Sequence, residues 1–130
     1  IEALRLPKRI FVDEKTPVRF RVTNHSAEPW HLSSDQDRDM HLGIKIHATD
    51  PASGFTTEVR GENFDRVVPP GASVVINAAL PPLTTMGIYH VSVDMVDESV
   101  LWFAEMGSPI LATEVIVAPA RVVDLQRRIE

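Results

Sequence analysis

The chain alternates apolar and polar residues with a period of two in several separate segments, and this pattern constrains its fold more than any other feature. Such alternation is typical of a strand with one buried and one solvated face. The apolar positions of the four clearest segments are Val18, Phe20 and Val22; Leu42, Ile44, Ile46 and Ala48; Val74, Ile76, Ala78 and Leu80; and Tyr89, Val91, Val93 and Met95. Residues 112–118 are predicted to form a last strand, and weaker candidates are 3–6, 9–12, 55–60 and 100–103.

The segments between the predicted strands contain residues that favour turns, as in 50–54 and 69–71. The ten prolines disfavour helix interiors and central strands at their own positions. Predicted strands recur about every 10–15 residues without intervening helices, a spacing that favours a sandwich over a βαβ sheet. We therefore predict a mainly β protein, an antiparallel immunoglobulin-like β-sandwich of about seven to nine strands.

Tyr89 sharpens this prediction because it opens the last of the four clearest segments and follows Gly87 closely. In immunoglobulin-like sandwiches, a tyrosine in this position often donates a hydrogen bond from its phenol to upstream backbone, an arrangement called a tyrosine corner. We predict such a corner here. The alternative is a tyrosine that only packs in the core.

The length of 130 residues favours one domain. We expect residues 1–118 to form the sandwich and residues 119–130 to form a helical linker or tail, since Val122, Leu125 and Ile129 fall on one helical face. The chain opens with Ile1, so we expect a piece of a longer protein whose tail leads to a further domain. A frayed tail is the alternative.

Charge and cysteine content exclude several classes of function. The net charge of −5 argues against a nucleic-acid partner, which needs a clustered positive face. The absence of cysteine rules out disulfides, thiolate metal sites and cysteine nucleophiles, and it fits a cytoplasmic location. No apolar stretch reaches the length of about 18 residues that a membrane span needs.

Several stretches together carry a resemblance to a known family. They are Val22-Thr23-Asn24-His25-Ser26 with Trp30, Pro70-Gly71-Ala72-Ser73-Val74, Gly87-Ile88-Tyr89, and Trp102-Phe103-Ala104-Glu105-Met106-Gly107-Ser108-Pro109. The chain resembles, from about Pro17 to Val117, a β-sandwich domain appended to bacterial glycosyltransferases and methyltransferases of surface-polysaccharide assembly. That domain is similar in style to the carbohydrate-binding C-terminal domain of O-antigen ABC transporters. Residues 33–39 depart from the family because they are more acidic, so a site that used this loop would take a different ligand.

Trp30, Trp102 and Arg66 are the candidate ligand-binding residues. Flat aromatic faces cover the apolar face of a pyranose, and an arginine donates hydrogen bonds to hydroxyl groups. Trp30 follows Pro29 in a predicted loop, and Trp102 adjoins a turn that contains glycine. The alternative for each tryptophan is packing in the core, because large aromatic side chains are usually mostly buried.

No motif supports catalysis, a cofactor or a metal site. The five histidines form no His-x-His pair and no His-Glu-x-x-His motif. The alternating carboxylates of residues 33–39 lack the glycine and glutamate of a helix-flanked calcium loop, although a looser calcium site in a sandwich loop stays open. Neither a nucleophile elbow nor a phosphate-binding glycine loop is present.

Two hypotheses on function remain. The first is a non-catalytic, glycan-binding accessory module of a bacterial cell-surface polysaccharide biosynthesis or export protein, which would hold a polysaccharide near the rest of its parent protein. The second is a structural or protein-interaction domain without a small-molecule ligand, including a homo-oligomer formed through a sheet face or the C-terminal helix.

Overall fold

The computed structural model describes residues 1–98 and 110–119, and these residues form ten strands in two sheets. The strands are β1 (Glu2–Arg5), β2 (Arg9–Phe11), β3 (Thr16–Thr23), β4 (Trp30–Leu32), β5 (Met40–Ala48), β6 (Thr56–Arg60), β7 (Arg66–Val68), β8 (Ser73–Leu80), β9 (Gly87–Asp97) and β10 (Leu111–Ala118). Within the same residues, no helix is long and apolar enough to cross a membrane.

The smaller sheet has the order β1-β3-β8, and the larger has the order β2-β10-β9-β5-β4-β7, with β6 paired to β5. Most neighbouring strands are antiparallel, but β2 runs parallel to β10, and β4 meets β5 in parallel at Leu32 and Met40. The two sheets pack face to face as a β-sandwich. The predicted antiparallel sandwich is therefore confirmed in its main features, with two parallel pairs that we did not predict.

The core lies between the two sheets and contains the apolar positions that the alternation predicts. Phe20 and Ile76 of the smaller sheet are fully buried, as are Ile44 and Val93 of the larger sheet. Each large side chain that leaves water in this way contributes about 1.5–3 kcal/mol. The intervening residues of β3 and β8, such as Arg19, face solvent, so a register shift by one residue would expose the whole buried set.

The short strands β4 and β7, of three residues each, were not predicted. They raise the number of strands in the described residues to ten, above the predicted seven to nine. The expectation that Trp30 lies in a loop is wrong, because this residue begins β4. The candidate strand 100–103 and the predicted tail from residue 120 onward lie outside the described residues.

The tyrosine corner predicted for Tyr89 is confirmed. Its phenol donates a hydrogen bond of 2.7 Å to the backbone carbonyl oxygen of Thr85, four residues upstream, and its buried ring makes a T-shaped contact with the ring of Phe55. Gly87, which opens β9, has a φ of 146°, a backbone conformation that residues with a Cβ atom rarely adopt. The glycine and the phenol together fix how the chain enters its longest strand.

Tyr89→Phe removes this phenol and leaves the carbonyl oxygen of Thr85 without its partner. We expect the free energy of unfolding to fall by about 1–2 kcal/mol, as for other partly buried hydrogen bonds, with an unchanged m-value in urea denaturation. The control is Thr85→Ala, which keeps the backbone acceptor and is expected to stay within about 0.5 kcal/mol of the wild type. Equal stability of Tyr89→Phe and the wild type would contradict a structural role for the corner.

Candidate functional site

A change of sheet near the start of the chain leaves part of β3 without a neighbour on one side. The strand β1 pairs with β3 from Glu2 opposite Arg21 to Arg5 opposite Arg19. The chain then leaves the smaller sheet, and β2 joins the larger sheet beside β10. Because β1 ends at Arg5, the first residues of β3 pair only with β8. Two depressions lie at this crossover, and Arg5 and Pro17 line both of them.

The larger depression, called here the sheet groove, has a volume of about 470 Å³. It is lined by Leu4, Arg5, Pro17, Val18, Arg19, Asn77 and Ala78. Small-molecule sites commonly measure about 300–1,000 Å³ and combine apolar walls with a few polar groups in fixed positions. The sheet groove has this composition, since leucine, proline and alanine side chains lie next to two arginines and one asparagine.

Hydrogen bonds across the sheet hold the polar side chains of the sheet groove in place. The Nε of Arg19 donates to the Oδ1 of Asn77 at 2.8 Å. The backbone N–H of Asn77 donates in turn to the carboxylate of Glu62 at 2.9 Å, and its side-chain amide contacts the same oxygen at 3.3 Å. The bond to Asn77 uses only the Nε of Arg19, so the two terminal nitrogens of the guanidinium remain for a ligand.

The smaller depression, called here the crossover cavity, has a volume of about 180 Å³ and lies between the ends of β1, β2 and β3. Arg5, Arg9 and Lys15 line it together with Glu14 and with apolar or uncharged residues. The crossover cavity therefore has more cations than the sheet groove, but its one carboxylate gives it the same net charge of +2.

The predicted ligand-binding residues lie elsewhere. Trp30 is only 9% exposed and belongs to the core, so its indole offers no free face to a sugar in this conformation. Arg66 is exposed on β7, opposite Leu32, and lines neither depression. Trp102 lies outside the described residues. The structure thus does not bring Trp30 and Arg66 together at one ligand surface.

Asn24, which belongs to the first stretch of the family resemblance, has a structural role. Its side chain is fully buried, and its amide nitrogen donates to the carbonyl oxygens of Glu28 and Val68 at 2.8 and 2.9 Å. Its Oδ1 accepts hydrogen bonds from the backbone N–H and the hydroxyl of Ser26. One side chain therefore fixes the loop between β3 and β4 and ties it to β7.

The backbone of Asn24 also joins two of the stretches that carry the resemblance. Its carbonyl oxygen accepts a hydrogen bond from Gly71 at 2.7 Å, and its N–H donates to Ala72 at 2.9 Å. Gly71 has a φ of 81°, which a residue with a Cβ adopts only under strain. The Asn-x-Ser and Pro-Gly-Ala-Ser stretches thus form one structural unit at this end of the sandwich.

A partly buried cluster of His41, Arg60 and Glu98 lies on the outer face of the larger sheet. His41 is 1% exposed, and its Nε2 lies 2.9 Å from the carbonyl oxygen of Ser33. Its Nδ1 lies 3.7 Å from the carboxylate of Glu98, which accepts a 2.7 Å hydrogen bond from Arg60. Burial opposes the charge of Arg60, but its hydrogen bonds to Glu98 and Glu58 outweigh burial and raise the pKa of the guanidinium. The imidazole has almost no access to solvent, and within residues 1–98 and 110–119 its Nδ1 has no hydrogen-bond partner, so His41 offers no surface for a substrate.

The histidines that meet are His47 and His90, which are paired across β5 and β9. Their ring centroids are 4.9 Å apart, and His90 lies 4.0 Å from the carboxylate of Glu114. Across residues 1–98 and 110–119, no three His, Cys, Asp or Glu side chains are grouped so that they could hold a metal ion. In the acidic loop 33–39, Asp35 pairs with Arg38 at 3.3 Å.

Comparisons with known proteins identify a similar fold and no family. No family model matches the chain, and no curated protein matches it. The chain is similar to part of the alkylpurine DNA glycosylase AlkC of Pseudomonas fluorescens, solved bound to DNA containing an abasic site analogue, with 14% identity and a TM-score of 0.56 over 85% of this chain. The chain spans 28% of AlkC, so the likeness concerns the fold of one part of that protein.

A second solved structure, target SoR45 of the Northeast Structural Genomics Consortium, is 20% identical and has a TM-score of 0.37. The match covers 91% of this chain and 75% of that chain. At this TM-score, the match carries no argument about fold or function.

Trp30→Ala tests whether this tryptophan belongs to the core. We expect the variant to lose about 3–5 kcal/mol of unfolding free energy, because removing a buried indole leaves a cavity between the sheets. Arg66→Ala is the control and is expected to stay within about 0.5 kcal/mol of the wild type, since the residue is exposed. A Trp30→Ala variant of wild-type stability in urea denaturation would place the indole outside the core.

Asn24→Asp tests the buried amide with almost no change in shape. At neutral pH, the introduced carboxylate would face two carbonyl oxygens. We therefore expect the free energy of unfolding to fall by about 2–3 kcal/mol. Burial and the carbonyl oxygens raise the folded-state pKa of that carboxyl above its unfolded value. Part of the loss is therefore regained as the pH falls through the raised pKa. Chemical denaturation at several pH values measures the difference in unfolding free energy between the variant and the wild type. A difference that grows as the pH falls would contradict the structural role assigned to the Asn24 amide.

Proposed function

We propose that this domain is a non-catalytic accessory module, immunoglobulin-like in its strand arrangement, that binds a glycan in the sheet groove. The observation that carries the proposal is the fixed pair of Arg19 and Asn77 beside the apolar side chains of Leu4, Pro17 and Ala78. The family resemblance supplies the context, which is a bacterial protein of cell-surface polysaccharide biosynthesis or export.

The order of the strands supports an immunoglobulin-like assignment. The N-terminal segment begins on the smaller sheet as β1, crosses over, and runs parallel to the last described strand as β2. The smaller sheet pairs β3 with β8, while the larger one pairs β5, β9 and β10. The tyrosine corner at the start of β9 is a further feature of immunoglobulin-like sandwiches.

The chemistry of the sheet groove suits a sugar ring. One face of a pyranose is apolar, and Leu4, Pro17 and Ala78 offer it a dry contact. The ring hydroxyls both donate and accept hydrogen bonds. Arg19 supplies donors, and the Asn77 amide supplies both kinds of group. Because Asn77 already holds the guanidinium in position, binding a sugar would order few additional side-chain torsions.

A site of this kind works by tethering. Each ring would contribute a modest affinity, and the attachment of the module to a larger protein would raise the local concentration of the polysaccharide. Weak binding by the isolated domain is therefore compatible with this role.

The alternative of a protein-interaction domain has one observation in its favour. Ile88 and Ile116 are register partners on β9 and β10, and they are 44% and 49% exposed on the outer face of the larger sheet. Two isoleucines form a far smaller patch than the roughly 800 Å² that each partner contributes to a standard interface. The glycan proposal is favoured for this reason, and nucleic-acid binding is disfavoured by the net charge of −5.

Arg19→Ala is the direct test of the sheet groove. We expect at least a tenfold loss of affinity for any glycan that the wild type binds, equivalent to about 1.4 kcal/mol, with little change in melting temperature. Arg21→Ala is the matched control, because this arginine lies two residues along the same exposed face and does not line the groove.

A glycan array followed by NMR titration of the hits measures both variants. An equal loss of glycan affinity in Arg19→Ala and Arg21→Ala would contradict the location of the site in the sheet groove. Failure of the wild type to bind any glycan at millimolar concentration would contradict the proposed function itself.

A further inference from the structure

Positive charge is concentrated at the start of a chain that is acidic as a whole. Residues 1–21 contain six Lys or Arg residues and three Asp or Glu residues, a net charge of +3, whereas the complete chain carries −5. The strands β1, β2 and β3 bring this basic segment to the two depressions at the crossover. The basic segment and the proposed glycan site therefore coincide in space.

Three of these cations line the crossover cavity and have no charged partner among the described residues. Arg5, Arg9 and Lys15 are exposed, and their side chains form no hydrogen bond or ion pair within that part of the chain. By contrast, Arg21 is paired with Glu2 at 2.7 Å, and Arg60 with Glu98 at the same distance. Positive groups that share one small cavity repel each other, and a bound anion would relieve this repulsion.

We propose that the crossover cavity binds an oxyanion carried by the glycan, either the carboxylate of an acidic sugar or a phosphate substituent. This proposal rests on the proposed function, since it assigns the anion to the same glycan. Arginine contacts both kinds of oxyanion through two parallel hydrogen bonds, and lysine adds a point charge. Glu14 also lines the cavity, which leaves an excess of positive charge and room for one anionic group.

The size of the crossover cavity suits one charged group of a glycan. Its volume of about 180 Å³ is well above the roughly 10–15 Å³ that a single water molecule needs. Because Arg5 and Pro17 line both depressions, neighbouring residues of one glycan chain could occupy them together. A neutral ring would lie in the sheet groove against Arg19 and Asn77, and the acidic residue would lie in the crossover cavity.

Nucleic acid is a poorer match to the same charges. A protein that binds nucleic acid through its backbone spreads its cations along a strip of many phosphates. Here three cations converge on one small cavity, and the chain beyond residue 21 is strongly acidic. Binding of single-stranded DNA is accordingly an outcome that would count against the proposal.

The test compares a glucuronate-containing oligosaccharide with the same oligosaccharide after chemical reduction of its carboxyl groups. We expect the wild-type domain to bind the acidic form at least tenfold more tightly in NMR titration or calorimetry, with a preference that shrinks as salt is added. Arg9→Gln and Lys15→Gln should each reduce this preference about three- to tenfold. Arg66→Gln is the control for charge, because Arg66 is exposed and lies outside both depressions.

A phosphorylated dextran forms a second arm that distinguishes the two sources of the oxyanion. Tight binding of this dextran, lost in Arg9→Gln and Lys15→Gln, supports the proposal with phosphate as the anion. Equal affinity for the acidic and reduced oligosaccharides, with no preference for the phosphorylated dextran over plain dextran, overturns the proposal and leaves the glycan function standing. Absence of binding to all four saccharide probes overturns both proposals. If, in addition, a single-stranded DNA oligomer binds in a way that depends on Arg9 and Lys15, nucleic-acid binding replaces them.

Discussion

The burial of two apolar sheet faces against each other is the interaction on which the rest of this structure depends. Phe20 and Ile76 supply the centre of one face, and Ile44 and Val93 supply that of the other, all with no exposure to solvent. Because successive side chains point to opposite faces, this burial fixes the orientation of every other residue on the same strands. Arg19, next to Phe20, faces outward for this reason, so the core determines where the polar residues of the candidate site must lie.

The candidate site arises where the sandwich cannot be regular. A chain that begins in one sheet and continues in the other must leave its first neighbour, and the strand that it leaves loses a partner along part of its length. In this protein, the first residues of β3 pair with β8 on one side, and β1 does not extend far enough to pair with them on the other side. Pro17 lies in this stretch, where it pairs with Ala79 of β8 and has no N–H group to donate to a further strand. The crossover thus creates the two depressions that Arg5 and Pro17 line together.

Much of the fold could be predicted from sequence, whereas the candidate site could not. Long strands display their alternation, and the tie made by Tyr89 follows from its position after Gly87. The three-residue strand that contains Trp30 shows no recognisable period, so this core residue was assigned to a loop and considered as a ligand contact. The sheet groove combines Leu4, Arg19 and Asn77, which are distant in sequence and meet only through the register of β1, β3 and β8. A search for exposed aromatic side chains could not find it, since no aromatic residue of the described chain lines that groove.

Two of the stretches that carry the family resemblance consist of residues that build the sandwich. Asn24 ties a loop to β7 and pairs with the turn at Gly71, while Trp30 lies in the core. Such positions can remain similar in any domain with this arrangement of strands, whatever its ligand, because changing them costs stability. The resemblance that we predicted from these positions therefore concerns architecture and indicates no ligand. Specificity depends on residues whose substitution leaves the core intact, and the exposed cations of the N-terminal crossover meet that condition.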